Sequence, residues 1–264
     1  MEETDDALAV EEPLEIRLGY VREGKRLIQS ISITMRTPGA DLDLAAGFLF
    51  TESIVRGPDQ IASIRPCGRP VGEAKLQNVV RVELTPDAIV DIARLQRHFY
   101  TSSSCGVCGK SSLDAIEIVG NPSPIEDGFK AMPELIHRLP SALRAAQDVF
   151  NKTGGLHAAA LFDADANLIC LREDVGRHNA LDKLIGAQLR EGRVPLADRI
   201  LLLSGRASFE LLQKALAARI PLVAAVGAPS SLAVDLARRY NITLLGFVRE
   251  DRFNIYSAAQ RICA

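Results

Sequence analysis

Arg199-Ile200-Leu201-Leu202-Leu203-Ser204-Gly205-Arg206-Ala207-Ser208 opens the stretch that decides the fold. An apolar run too short for a helix is followed by a Ser-Gly turn, and Ser208 stands where it can cap the next helix. That helix, Ser208 to Arg219, leads to the continuous apolar run Leu222 to Val226; a second helix, Ser230 to Tyr240, leads to Ile242 to Val248. Strands that alternate with amphipathic helices imply a partly parallel sheet with helices packed on its faces. Outward from this core, Phe253 to Tyr256 makes a last short strand. Upstream, the spacing predicts helix Gly176 to Arg190, strands Asn167 to Leu171 and His157 to Phe162, and helix Pro133 to Phe150.

The first part of the chain is patterned differently. Leu14 to Val21 and Leu27 to Met35 alternate around Arg22-Glu23-Gly24-Lys25-Arg26, which predicts a hairpin. Asp41 is placed to cap a helix Leu42 to Glu52, with Leu44, Ala45, Phe48 and Leu49 on one face. Strands at Ile61 to Arg65 and Asn78 to Leu84 and a helix Asp87 to His98, opened by Pro86, complete the region. The expected organisation is an acidic disordered tail over 1–13, an α+β region over 14–100, a mobile connection over 101–132, and an α/β domain over 133–264.

Composition narrows the function. The 264 residues carry 31 basic and 33 acidic side chains intermixed, for a net charge of −2, so no broad basic surface is present to neutralise a nucleic-acid backbone. Met1 to Glu12 holds six acidic residues and no basic one, the opposite of a secretory signal. The most hydrophobic segment, Pro221 to Ala228, is far shorter than the roughly 18 residues of a membrane span. No membrane is expected as a partner, and the location expected is cytoplasmic.

Five cysteines do not make a disulfide scaffold in a chain of this length. Cys170 lies in a strand-like apolar run and reads as packing; Cys67, after Pro66 in an expected turn, and the near-terminal Cys263 have no partner at metal-ligand spacing. Cys105-Gly106-Val107-Cys108 is different. It lies in the Ser- and Gly-rich stretch Thr101 to Lys110, where neither helical nor strand periodicity holds. Between Ile92 and Leu113 there is no acidic residue, while Arg94, Arg97, Lys110 and His98 supply positive charge, which lowers a thiol pKa. Gly106 and Gly109 allow turns that aim backbone N–H groups at an anion. By spacing, the pair suits persulfide transfer, a redox dithiol, or half of a zinc site completed by His157 and His178.

The longer string Thr101-Ser102-Ser103-Ser104-Cys105-Gly106-Val107-Cys108-Gly109-Lys110 resembles the signature of the FdhD family of formate dehydrogenase accessory sulfurtransferases. Three further blocks resemble that family in the same order: Thr153 to Ala159, Glu173 to Lys183 and Ser204 to Glu210. The similarity runs from about Ile16 to Tyr256. It implies an α/β fold of cytidine-deaminase-like type, a mixed sheet flanked by helices, with a smaller N-terminal α+β region. It also implies a carrier that takes sulfur from a cysteine desulfurase as a Cys105 persulfide, with Cys108 either assisting transfer or sharing the sulfur. The sulfur then passes to Mo-bis(molybdopterin guanine dinucleotide) before that cofactor enters formate dehydrogenase. No zinc is expected, and a guanine nucleotide is expected to occupy the cofactor's site. A carrier that binds the cofactor without chemistry, its cysteines holding cofactor or metal, is the alternative.

The segment Phe247-Val248-Arg249-Glu250-Asp251-Arg252 resembles the family's cofactor-binding stretch, Glu250 and Asp251 departing from its pattern. It also follows an expected strand's carboxyl end, where open α/β sheets collect ligands, and Arg249 and Arg252 suit pyrophosphate oxygens. Arg177, His178, Gly205, Arg206 and Ser208 form a second tier, equally suited to capping and packing. A zinc deaminase needs H-x-E followed by P-C-x-x-C; here Ala159 stands in the carboxylate's place and the C-x-x-C lies upstream of His157. The apolar helix Leu211 to Ile220 and a ligand with two guanine ends suggest a homodimer.

Overall fold

A computed structural model describes residues 6–72, 75–88, 90 and 122–263. It contains two mixed sheets separated by helices. The first is a four-stranded sheet of order β2-β1-β4-β3, built from β1 (Glu12–Arg22), β2 (Lys25–Arg36), β3 (Ile61–Cys67) and β4 (Val79–Leu84). Its hairpin turns at Glu23 and Gly24, both with positive φ, as a right-twisted two-residue connection requires. Helix α1 (Asp41–Thr51) covers the inner face, which presents Leu14, Ile16, Leu18 and Val82.

The second sheet has order β10-β9-β8-β7-β5-β6. Its strands are β5 (His157–Phe162), β6 (Leu168–Asp174), β7 (Ile200–Leu203), β8 (Leu222–Ala225), β9 (Thr243–Gly246) and β10 (Asn254–Ser257). β7, β8 and β9 run parallel, connected by α5 (Phe209–Ala217) and α6 (Ser231–Arg239), as the alternation of strand and helix predicts. The period of two sorts its side chains. Ala159, Leu161, Leu201, Leu203, Val223 and Leu244 join one core with α4 (Arg177–Arg190), α5, α6, α1 and the first sheet. Ala158, Ala160, Phe162, Leu202, Ala224 and Leu245 form another with α2 (Pro133–Ala146).

Helices α1 and α4 touch backbone to backbone. A carbon added at Gly186 would stand 1.9 Å from the carbonyl oxygen of Asp43, and one at Gly47 equally close to that of Asp182. Gly186→Ala must push the helices apart and is expected to cost about 3 kcal/mol, the upper end for overpacking, read as a lower urea midpoint with an unchanged slope.

Several expectations need correction. The single helix Pro133 to Phe150 is two, α2 and α3 (Asp148–Thr153), because the Glu173 carboxylate accepts the N–H groups of Val149 (3.1 Å) and Phe150 (2.9 Å) and starts a new helix after Gln147. Asp41 does not cap α1; Ala40 takes the left-handed cap position, and Asp41 holds the fully buried Arg36 through two 2.9 Å bonds. Cys67 ends a strand rather than sitting in a turn, and β6 runs on to Asp174. The end of the 101–132 connection is tied down: Ile125 donates to Tyr240 O (2.9 Å), and buried Arg261 donates to the carbonyls of Ile125 and Glu126. The apolar face of α5 (Leu211, Leu212, Ala215, Leu216) is spent in the intrachain core, so its apolarity gives no ground for a dimer. The tail expected over 1–13 ends earlier, since β1 starts at Glu12. Most of the helix expected from Asp87 to His98 lies outside the described residues. Among the described residues, no helix is long and apolar enough to cross a membrane.

Candidate functional site at the carboxyl edge of the second sheet

The carboxyl ends of β7, β8 and β9 open into turns over 204–208, 226–230 and 247–252. The start of β5 and the end of β6 share this edge, because β5 runs against β7 and β6 against β5. Backbone bonds join the turns: Gly227 N to Gly205 O (2.9 Å), Ser230 N to Ala207 O (3.0 Å) and Phe247 N to Gly227 O (3.2 Å). Gly227 is required by this contact, since a Cβ there would meet Arg206 N at 2.9 Å. Ser208 and Ser230 accept from Leu211 N and Ala233 N and cap α5 and α6. The N-termini of α4, α5 and α6 therefore all face this edge with their partial positive charge.

The turn from β6 into α4 is held from beneath by Asp174, which is fully buried. Its Oδ1 accepts from Gly176 N (2.8 Å) and Asn179 Nδ2 (3.1 Å); Oδ2 accepts from Thr37 N (3.1 Å) and pairs with buried Lys183 at 2.6 Å. Asn179 in turn donates to Met35 O (2.7 Å), so the end of β2 is locked to the start of α4. Above this, His178 Nε2 lies 2.9 Å from Glu210 Oε2, joining the first turns of α4 and α5. The other Glu210 oxygen and Arg177 Nε are buried and have no hydrogen-bond partner among the described residues.

His157 starts β5 against Gly205, where an added carbon would lie 3.4 Å from its Nδ1. Burial first, and then the neighbouring Arg177 guanidinium and His178 ring, push its pKa below the ordinary value of 6.5. The site thus offers an uncharged imidazole beside a guanidinium and three helix N-termini, an arrangement suited to an anionic ligand that also needs a hydrogen-bond acceptor. Because its folded pKa is depressed, the neutral form's contribution to stability is present above about pH 6.5 and is lost as pH falls through the folded value. An NMR titration should place the His157 midpoint below 6.5, and Arg177→Ala should move it upward.

Cys105 and Cys108 lie outside the described residues. The segment Phe247 to Arg252 does follow β9 at the carboxyl edge, but its members differ in what they can offer. Phe247 is 42% exposed with left-handed backbone (φ 53°), whereas the Val248 side chain is fully buried in the α2 core and leaves only its backbone. Arg249 folds back, its Nη1 donating to Val226 O and Val248 O (2.8 Å each), and its N–H closes the turn onto Arg252 O. Glu250 is exposed, and Arg252 pairs with Asp251 at 3.1 Å on the surface. Of the second tier, Arg177, His178, Gly205, Arg206 and Ser208 share the edge with this segment. Sequence reasoning missed the pairing of His178 with Glu210, the Asp174–Lys183 clamp, and His137, which contacts Arg249 O at 3.1 Å and tilts against Phe253. No sequence spacing signals these long-range pairs. Ala159 packs in the core, and burial pushes the Cys170 thiol pKa up, which agrees with a passive role.

Comparison with known proteins bears on this geometry. The family model described as the FdhD/NarQ family matches residues 9–263. A Mycolicibacterium paratuberculosis protein named sulfur carrier protein FdhD is 50% identical over 258 residues, covering 97% of this chain and 92% of its own length. A Streptomyces avermitilis protein of the same name is 51% identical over 260 residues, covering 97% and 89%. The fold is similar to the crystal structure of a protein assigned as a formate dehydrogenase accessory protein from Desulfotalea psychrophila. The TM-score is 0.75 at 24% identity, over 99% of this chain and 93% of that one.

Proposed function

This chain belongs to the FdhD/NarQ family, and from that premise we propose that it is a sulfur carrier acting in the maturation of formate dehydrogenase. The observation that carries the reading is identity of about one residue in two, over 97% of the chain, to proteins named sulfur carrier. In this reading the Cys105 thiolate attacks the outer sulfur of a cysteine desulfurase persulfide. The donor cysteine leaves as a thiolate, and Cys105 holds the sulfane sulfur, with Cys108 assisting its onward transfer. The positive sequence around the pair, free of carboxylates between Ile92 and Leu113, favours the thiolate. A cytoplasmic location follows from the need for reduced thiols.

In this reading the acceptor, and thus the substrate, is Mo-bis(molybdopterin guanine dinucleotide), whose guanylyl ends would lie at the carboxyl edge of the second sheet. Phe247 supplies an exposed ring, and Arg249 and Arg252 the cationic groups. A homodimer would give the two guanine ends equivalent sites. The test is mass spectrometry after incubation with a cysteine desulfurase and cysteine. The Cys105 peptide should gain one sulfur atom. A labelled Cys108 beside an unmodified Cys105 overturns the residue assignment, and no label on either overturns sulfur carriage.

A further inference from the structure

The turn between β9 and β10 is held by two different parts of the molecule. From the sheet, Gly227 O accepts from Phe247 N (3.2 Å) and Ala225 O from Val248 N (3.1 Å), while Arg249 Nη1 donates to Val226 O and Val248 O at 2.8 Å each. Within the turn, Arg249 N donates to Arg252 O (2.8 Å). These bonds use the N–H and the guanidinium of Arg249. Its carbonyl is met by a residue of α2: His137 Nδ1 lies 3.1 Å from Arg249 O. A carbonyl oxygen only accepts, so the nitrogen facing it must carry the proton, which makes His137 the Nδ1–H tautomer when its ring is neutral. The same ring tilts at 42° against Phe253, 5.2 Å between centroids, just before β10 begins.

His137 is presented from a fixed support. Ile136 and Leu139 on either side of it are fully buried in the core that α2 shares with the second sheet. Two residues before α2, Ala131 donates to Arg261 O (2.9 Å) and accepts from Cys263 N (3.0 Å), which ties the start of the helix to the end of the chain. The turn has much less of its own. Phe247 stands at φ 53°, a left-handed conformation that a bulky residue keeps only where its surroundings impose it. Glu250 and Asp251 at the tip are exposed, and the ion pair of Arg252 with Asp251 lies on the surface, where such pairs contribute little. The conformation of the turn therefore rests on the bonds gathered at Arg249, and the one made from α2 is the only one of them that does not come from the sheet or the turn itself.

Resting on the assignment of the guanylyl ends to this segment, we propose that His137 is a positioning residue: its Nδ1–H holds the Arg249 carbonyl and so keeps the 247–252 turn in the conformation that binds a guanine nucleotide. The experiment measures GDP binding to the full chain by calorimetry for the wild type, F247A, H137F and H137N. H137F keeps an aromatic ring beside Phe253 and removes the donor, whereas H137N restores an N–H at the place of Nδ1. F247A is expected to lose affinity, which locates GDP on the segment. H137F is expected to bind GDP about three- to tenfold more weakly, the scale of one hydrogen bond, and H137N to return to within about twofold of the wild type. Circular dichroism should be unchanged in all three variants. Nitrogen NMR of the neutral His137 ring should find the proton on Nδ1. Equal binding by H137F and the wild type, H137N as weak as H137F, or a neutral ring protonated on Nε2 overturns the positioning role and leaves the site assignment standing. Absence of GDP binding by the wild type, or unaltered binding by F247A, overturns the site assignment and the positioning role together.

Discussion

Cys105→Ala is expected to leave formate dehydrogenase all but inactive when it replaces the wild-type protein in cells. The loss should be on the order of a hundredfold or more, the scale reached when a nucleophile itself is removed. Sulfane sulfur is carried only as a persulfide, and no side chain other than cysteine forms one, so Cys105→Ser should fail as completely as Cys105→Ala. Cys108→Ala should lose less, because in the proposed scheme it assists a transfer that Cys105 begins. Immunoblotting for equal amounts of carrier and enzyme separates lost chemistry from lost protein. Full activity with Cys105→Ala would turn the protein into a cofactor-binding chaperone and remove persulfide chemistry from its function.

Lys183→Ala is expected to lower stability by about 3–5 kcal/mol, because it leaves the Asp174 carboxylate buried without its counter-charge. Asp174 keeps three N–H donors, from Gly176, Thr37 and Asn179, but these orient a carboxylate and do not neutralise it. Lys183 also donates to Thr37 O at 2.7 Å, so its removal loosens the link between the end of β2 and the start of α4. Urea unfolding should show a much lower midpoint. Combining Lys183→Met with Asp174→Asn should recover much of the loss, a coupling that a double-mutant cycle reads directly. A loss under 1 kcal/mol in Lys183→Ala would mean that water reaches the pair and that the clamp does not hold the turn.

The same position on α4 illustrates what one-dimensional reasoning cannot see. From Gly176 to Arg190 the sequence reads as an amphipathic helix, and the helix is there; Asp182 and Lys183, which look like its solvated side, are buried. The helix lies between two layers, α1 with the first sheet on one side and the second sheet on the other, so it has no wet face. Its polar residues are satisfied by partners far away in sequence: Lys183 by Asp174, and Asp182 by Thr51 (2.7 Å) and Lys214 (2.9 Å). Burial pulls the Lys214 pKa down, but Asp182 and Glu52 outweigh it and hold the ammonium charged, the net shift being upward.

Sequence alone determined what local physics controls. The period of two marked the strands, Ser208 announced a helix start, Glu23-Gly24 a hairpin, and the run from Arg199 to Val248 a parallel core. The Cys105 string and its companion blocks pointed to the family that the whole-chain match then showed. Tertiary structure decided what depends on pairs distant along the chain. It decided that Glu173 splits one expected helix in two, that α1 and α4 meet at glycines, and that His178 finds Glu210. It also decided that His137 meets the carbonyl of Arg249. The reason is the same in each case: hydrogen bonds, ion pairs and close packing are set by separation in space, and periodicity along a chain reports only which side of an element is apolar.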